Sequence, residues 1–227
     1  MHPLDRPTWA SLTTHHASVS EGNASARRFA RNVNLFASSR DDTPAAVAAL
    51  ADLVKLEESV FLLQVAKTVV PPGLVEVKAA KGVQMIASRN ATFEAMHGDM
   101  LMLTDDDAPE MLALATLTEP GPFVARTHTM GAFLGIRIGG RLVAMAGERM
   151  RFPGYTEVSG VCTHPEFRGR GLARRLSAAV AAGIRARGDQ PFLHAWETNH
   201  SAISLYEGLG FKVRTEVNVA VVRRIFQ

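Results

Sequence analysis

Val161-Cys162-Thr163-His164-Pro165-Glu166-Phe167-Arg168-Gly169-Arg170-Gly171-Leu172-Ala173 leads a β-branched run into a loop of glycine and arginine and out into a helix. Leu172, Leu176, Val180 and Ile184 recur at helical spacing and give that helix one apolar face. A loop that ends at a helix N-terminus presents unpaired N–H groups at the positive end of the helix dipole, and both attract an anion. Gly169 and Gly171 have no Cβ to hold a phosphate away from the backbone, and Arg168 and Arg170 add positive charge. The stretch reads as a cradle for a diphosphate. It lacks the terminal Lys-Ser/Thr of an ATP-binding P-loop. Nor does it open a βαβ unit as the dinucleotide fingerprint does, because the strands before it form hairpins. Taken alone, a Gly-x-Gly turn describes an ordinary basic surface turn equally well.

Upstream, Phe133 to Ile138 and Arg141 to Met150 read as strands joined by Gly139-Gly140, a pair that tolerates the positive φ of a tight hairpin. Pro153-Gly154 turns the chain into a third strand, Tyr155 to Thr163. Asp105-Asp106-Asp107 ahead of Pro109 reads as the acidic start of a helix through Met111, Leu112, Leu114 and Ala115, and Glu119-Pro120-Gly121-Pro122-Phe123 ends it. Downstream come a strand at Phe192 to Trp196, a short helix, and an alternating strand through Phe211, Val213, Thr215, Val217 and Val219.

The first hundred residues predict a smaller α/β unit. A helix starts at Thr43-Pro44, and strands at Val60 to Val65 and Val83 to Ile86 flank a turn at Pro71-Pro72-Gly73. The expected division is 1–97 and 98–227. The fold class is α/β (α+β): a mixed, mostly antiparallel sheet flanked by helices.

Two segments in this order resemble the GNAT superfamily of N-acetyltransferases. Arg168, Gly171 and Ala173 fill the defined positions of its Arg/Gln-x-x-Gly-x-Gly/Ala motif. Asn199 followed by Leu205-Tyr206-Glu207-Gly208-Leu209-Gly210-Phe211 is similar to its closing segment. The resemblance covers roughly Asp105 to Ile225, with the N-terminal unit as a degenerate half of the same fold at most. It implies an acetyl-CoA-dependent N-acetyltransferase acting on an amine of a small molecule or of a peptide or protein N-terminus. The alternative is a module that binds acyl-CoA without turning it over.

For the cofactor, the resemblance implies Val161, Cys162 and Thr163 along the pantetheine arm, Arg168 to Ala173 around the diphosphate, and Asn199 beside it. It also implies that Tyr206 donates a proton to the departing CoA sulfur. Asn199 and Tyr206 lie about two helical turns apart, on one side of the short helix. Strand alternation places Glu157 with Ser159, Val161 and Thr163 on one face and makes Glu157 the candidate base, with Glu148 and His128 as runners-up. The same alternation puts Cys162 on the opposite face, against an acetyl-cysteine intermediate and for direct transfer in a ternary complex. Phe123 and His128 are the candidate acceptor contacts, in a pocket built by residues 116–130 and a C-terminal hairpin. Trp196 is expected in the core.

Composition narrows the remaining classes. Of the 227 residues, 47% are hydrophobic and 21% charged, the balance of a globular protein. A formal charge of +3 is too small to argue for nucleic acid by itself, although the arginines gather between Arg168 and Arg187. One cysteine excludes an intrachain disulfide and a cysteine metal cluster, and no metal site is expected. With no apolar run long enough to span a membrane and no targeting signal, a cytoplasmic protein is expected. No pattern selects between monomer and homodimer.

Overall fold

The computed structural model describes residues 2–226. In chain order the elements are α1 (Pro7–Leu12), β1 (Ser20–Gly22), β2 (Ala26–Phe29), β3 (Ala37–Ser39), α2 (Pro44–Asp52), β4 (Ser59–Gln64), β5 (Val75–Ala87), β6 (Met100–Met102), α3 (Ala108–Thr118), β7 (Phe133–Ile138), β8 (Arg141–Phe152), β9 (Tyr155–Thr163), α4 (Leu172–Ala186), β10 (Gln190–Trp196), α5 (His200–Glu207) and β11 (Phe211–Arg223). Their starts follow local chemistry. The Thr43 hydroxyl accepts from Ala46 N at 3.4 Å, with Pro44 in the first turn of α2. Thr104 and Asp107 form a capping box ahead of α3, and Asp107 also pairs with Arg137. The acidic run is thus accounted for by capping and ion pairing.

Strands β1, β2 and β3 make a small sheet. The other eight form one sheet in the order β4-β11-β5-β10-β9-β8-β7-β6. All its pairings are antiparallel except that of β9 with β10. The α/β class and the meander of β7, β8 and β9 are as expected. A division at 97/98 does not coincide with any break in this sheet, because β4 and β5 pair with β11 and β5 also pairs with β10. Nor is there a C-terminal hairpin: among the described residues β11 is the last strand, and its partners come from the N-terminal region.

One face of the sheet is covered by α4, whose Leu176 and Ile184 are fully buried against Ile136, Val143 and Val158. Truncating a side chain such as Leu176 to alanine typically costs about 2–5 kcal/mol, so this helix is fixed firmly against the sheet. The other face is covered in two parts. Met111 and Leu114 of α3 pack on Met145 and Cys162. Leu4, Leu12, Phe29 and Phe36 pack on Met150, Phe192 and Val217. The N-terminal region therefore supplies strands β4 and β5 of this sheet and a layer that covers it.

Candidate active site

Strands β9 and β10 run side by side only from Tyr155/Gln190 to Glu157/Phe192 and then part. Beyond the fork, β10 keeps its pairing with β5 as far as Trp196/Gly82, and β9 keeps its pairing with β8. The β10-facing edge of residues 158–163 is left without a neighbouring strand. Two bulges flank this point. Glu148 opposes Val158 and Arg151 opposes Thr156, so β8 carries an extra residue opposite Glu157. Met145 opposes Cys162 while Gly147 opposes Ser159, so β9 carries an extra residue at Gly160-Val161. Gly160 has φ +61°, and a Cβ there would lie 2.9 Å from the Phe133 ring, so only glycine fits.

The second bulge overturns the expected alternation. Val158 and Val161 both pack toward α4, whereas Cys162 packs toward α3. Glu157 and Cys162 are therefore on the same side of β9. Burial, and not the face of the strand, disfavours cysteine chemistry: it pushes the Cys162 thiol up to about 11 and keeps it protonated.

Past β9, the cradle has the geometry its residues suggest. Gly169 and Gly171 have φ of +75° and +72°, and a Cβ on either would meet no protein atom within 4 Å. Gly171 is the N-cap of α4. The N–H groups of residues 169–174 donate no hydrogen bond to other described residues; the first to do so, Arg175 N, reaches Gly171 O. Arg168 and Arg170 are exposed, the latter over the Phe167 ring. The Thr163 hydroxyl at the end of β9 is buried without a partner. Arg168 Nε donates to Thr163 O at 3.4 Å, and other arginines of the cluster are engaged elsewhere: Arg174 with Gly208 O, Arg175 with Asp99, Arg185 with Ser88 O and Arg187 with Glu148.

Glu157 is fully buried at the fork. Arg149 holds both carboxylate oxygens, with Nε 2.8 Å from Oε2 and Nη2 2.7 Å from Oε1. His194 Nδ1 lies 2.7 Å from Oε1, and Met150 N donates to Oε2. Burial alone would raise this carboxyl's pKa, but the Arg149 charge and hydrogen bonds, with those of His194, reverse the shift and hold it at about 2. A carboxylate so placed is a poor proton acceptor, which corrects the expectation for Glu157. Nor is His194 a free base. Its Nε2 is 3.0 Å from Gln84 Nε2, an amide fixed by donating to Leu4 O and accepting from Arg214. The imidazole is thus held with Nδ1–H toward Glu157 and Nε2 accepting.

Asn199 caps α5, accepting from Ala202 N at 3.1 Å. Tyr206 is buried, and burial pushes its phenol up to about 12; Ser177 on α4 offsets this only in part, without a formed hydrogen bond. The phenol stays protonated throughout the physiological range.

These groups surround a cavity of about 680 Å³. Its walls include the β9 edge from Val158 to Thr163, the loop and first turn of α4, and Asn199 and Tyr206. Residues 118–122 also line it, as the placement of that segment after α3 suggests. Phe123 and His128 do not. Phe123 packs edge-on against Phe133 behind the wall, and His128 pairs with Asp105. Glu148 pairs with Arg187 and is also outside the lining. Conversely, Phe36 of the N-terminal layer, Phe61 and Leu63 of β4, Arg149, and Val217 and Val219 of β11 line the cavity, though nothing local in the sequence marks them. Trp196 lies on the wall, 37% exposed, instead of in the core.

Comparison with known proteins agrees with this geometry. Residues 133–220 match the family model described as FR47-like protein. Over 56 residues the chain is 50% identical to the mycothiol acetyltransferase of Thermobispora bispora, a match spanning 24% of this chain and 19% of that enzyme. The crystal structure of a Novosphingobium aromaticivorans protein described as a GNAT-family acetyltransferase superposes with a TM-score of 0.92 at 42% identity, each chain covered completely. The GCN5-related N-acetyltransferase from Kribbella flavida shares the fold, with a TM-score of 0.67 at 15% identity over 100% of this chain and 97% of its own.

Proposed function

This chain belongs to the GNAT family of acetyltransferases, and from that premise we propose that it moves the acetyl group of acetyl-CoA to an amine, by direct attack with both substrates bound. The observation that carries the reading is the run of unengaged peptide N–H groups from Gly169 to Arg174, at the N-terminus of α4 and beside the open edge of β9. Those nitrogens suit a diphosphate, aided by Arg168 and Arg170. The open edge at 158–163 suits the amides of a pantetheine arm, which can pair with it as an added strand does. The buried, unpartnered Thr163 hydroxyl offers one more polar contact.

Bound acetyl-CoA would supply a thioester, whose thiol has an ordinary pKa near ~8.5. Around it, main-chain N–H groups near Val161 and Cys162 would polarise the carbonyl oxygen. Tyr206, protonated and lining the cavity, would donate to the departing sulfur. Glu157, held ionised by Arg149, would act as a positioning residue that orients His194 and fixes the fork. With both residues engaged, the amine would shed its proton to water before attack, so kcat/KM should rise with pH toward the acceptor's own pKa.

Calorimetry with CoA and a thiol-release assay over a panel of amines test the reading together. Binding of CoA with amine-dependent thiol release is expected. Binding without release from any amine would favour the second reading, a regulatory acyl-CoA-binding module, which the lack of a free base at the fork motivates. Absence of CoA binding would end both.

A further inference from the structure

Resting on the transferase reading, the cavity wall points to the class of acceptor. Away from the cradle, one side of the lining is apolar, with Phe36, with Phe61 and Leu63 of β4, and with Val217 and Val219 of β11; beside them stand Arg149 and His194, both already engaged with Glu157. The guanidinium on this side, Arg149, has its charge matched by Glu157 and lies over the Phe36 ring, 4.8 Å from its centre. Among the described residues that line the cavity, Glu119 is the one carboxylate.

The backbone of Glu119 is unusual as well. It closes α3 in the left-handed region, φ 48° and ψ 54°, where glycine is the ordinary residue and a side chain costs stability. One other non-glycine residue, Glu57, has positive φ, and its carboxylate pairs with Arg223. Glu119 makes no such pair, although Gly121, two residues on, comes within 3.8 Å (from a Cβ built on it) of Arg149 Nη1. An exposed carboxylate kept at a strained position, in the lining of a chamber whose nearby guanidinium, Arg149, is already paired, suits one cationic group.

We infer that the acceptor is a primary amine on an apolar body carrying no acidic group, its ammonium bound by Glu119 and its body by the wall of Phe36, Phe61, Leu63, Val217 and Val219. A carboxylate on the same body would have to shed its hydration against apolar side chains, with its nearest guanidinium already paired.

The test is calorimetric titration of the CoA-saturated protein with hexylamine and, in parallel, 6-aminohexanoate, for the wild type and for Glu119→Gln and Glu119→Gly. Hexylamine should bind at least about ten-fold more tightly than 6-aminohexanoate, and Glu119→Gln should weaken hexylamine by about ten-fold or more. Glu119→Gly should lose the amine equally while raising the thermal midpoint, which separates lost recognition from lost folding. Equal binding of the two amines, no binding of either, or hexylamine affinity unchanged in Glu119→Gln would overturn the inference, even if some other amine released CoA thiol. Glu119-dependent binding of hexylamine, with no thiol release from any amine of the panel, would uphold Glu119 and the apolar wall as the amine site and remove the transferase reading instead.

Discussion

Glu157 Oε1 sits 2.7 Å from His194 Nδ1 at the point where β9 and β10 separate, and Arg149 grips the same carboxylate from β8. Three strands are thereby joined at the root of the cavity by one buried anion. Removing its charge leaves Arg149 buried without a counter-ion. Glu157→Gln should therefore lower stability by about 3–5 kcal/mol, read as a fall in urea midpoint.

The same carboxylate makes stability sensitive to acid. Its folded pKa, about 2, lies below the ordinary value of 4.5, so its contribution is complete above that value and is lost as pH falls toward 2. The difference corresponds to about 3 kcal/mol. Wild type should lose stability between pH 5 and 2 more steeply than Glu157→Gln; parallel curves would show that the carboxylate is not depressed.

Tyr206→Phe removes a phenol held near 12 and leaves the ring's packing intact. Turnover should fall by about 10²-fold, while CoA affinity measured by calorimetry stays within about two-fold, since proton donation acts on the reaction and not on binding. An alkaline limb below about pH 10 in the wild-type profile should persist in the variant, because Tyr206 does not titrate there.

Gly171→Ala would force a side chain into φ +72° with open space around it, so the penalty is backbone strain alone, about 1 kcal/mol. Relief of that strain would turn the peptide N–H groups away from the position proposed for the diphosphate. CoA affinity should drop by about ten-fold or more, and the drop should exceed the change in thermal midpoint.

Cys162 should be chemically silent. With burial pushing its thiol up to about 11, iodoacetamide at pH 7.5 should leave the native protein unlabelled, and Cys162→Ala should keep turnover within a few-fold. Intact mass after acetyl-CoA exposure should show no acetyl adduct.

Signals carried by neighbouring residues were legible in the chain. The apolar stripe of α4, the Gly139-Gly140 hairpin, the Thr43-Pro44 cap and the capping of the acidic run each depend on a few consecutive positions. The cradle belongs with them, because loop, glycines and helix start lie within Arg168 to Ala173. Face assignments along β9 failed because alternation assumes a regular pleat, and Gly160 inserts an extra residue. An isolated glycine inside a strand is the sign that could have revealed it.

By itself, then, the sequence determined the glycine-arginine turn at the start of α4 and the meander before it, since groups close along the chain specify them, and its two motifs carried the resemblance to the family. Only the tertiary structure decided that β5 enters the sheet between β10 and β11, that Phe36, Phe61 and Leu63 reach the cavity, and that Glu157 is held by Arg149 and His194. Those outcomes depend on register and packing between segments far apart in the chain, where burial and charge pairing act together and no local pattern records the partner.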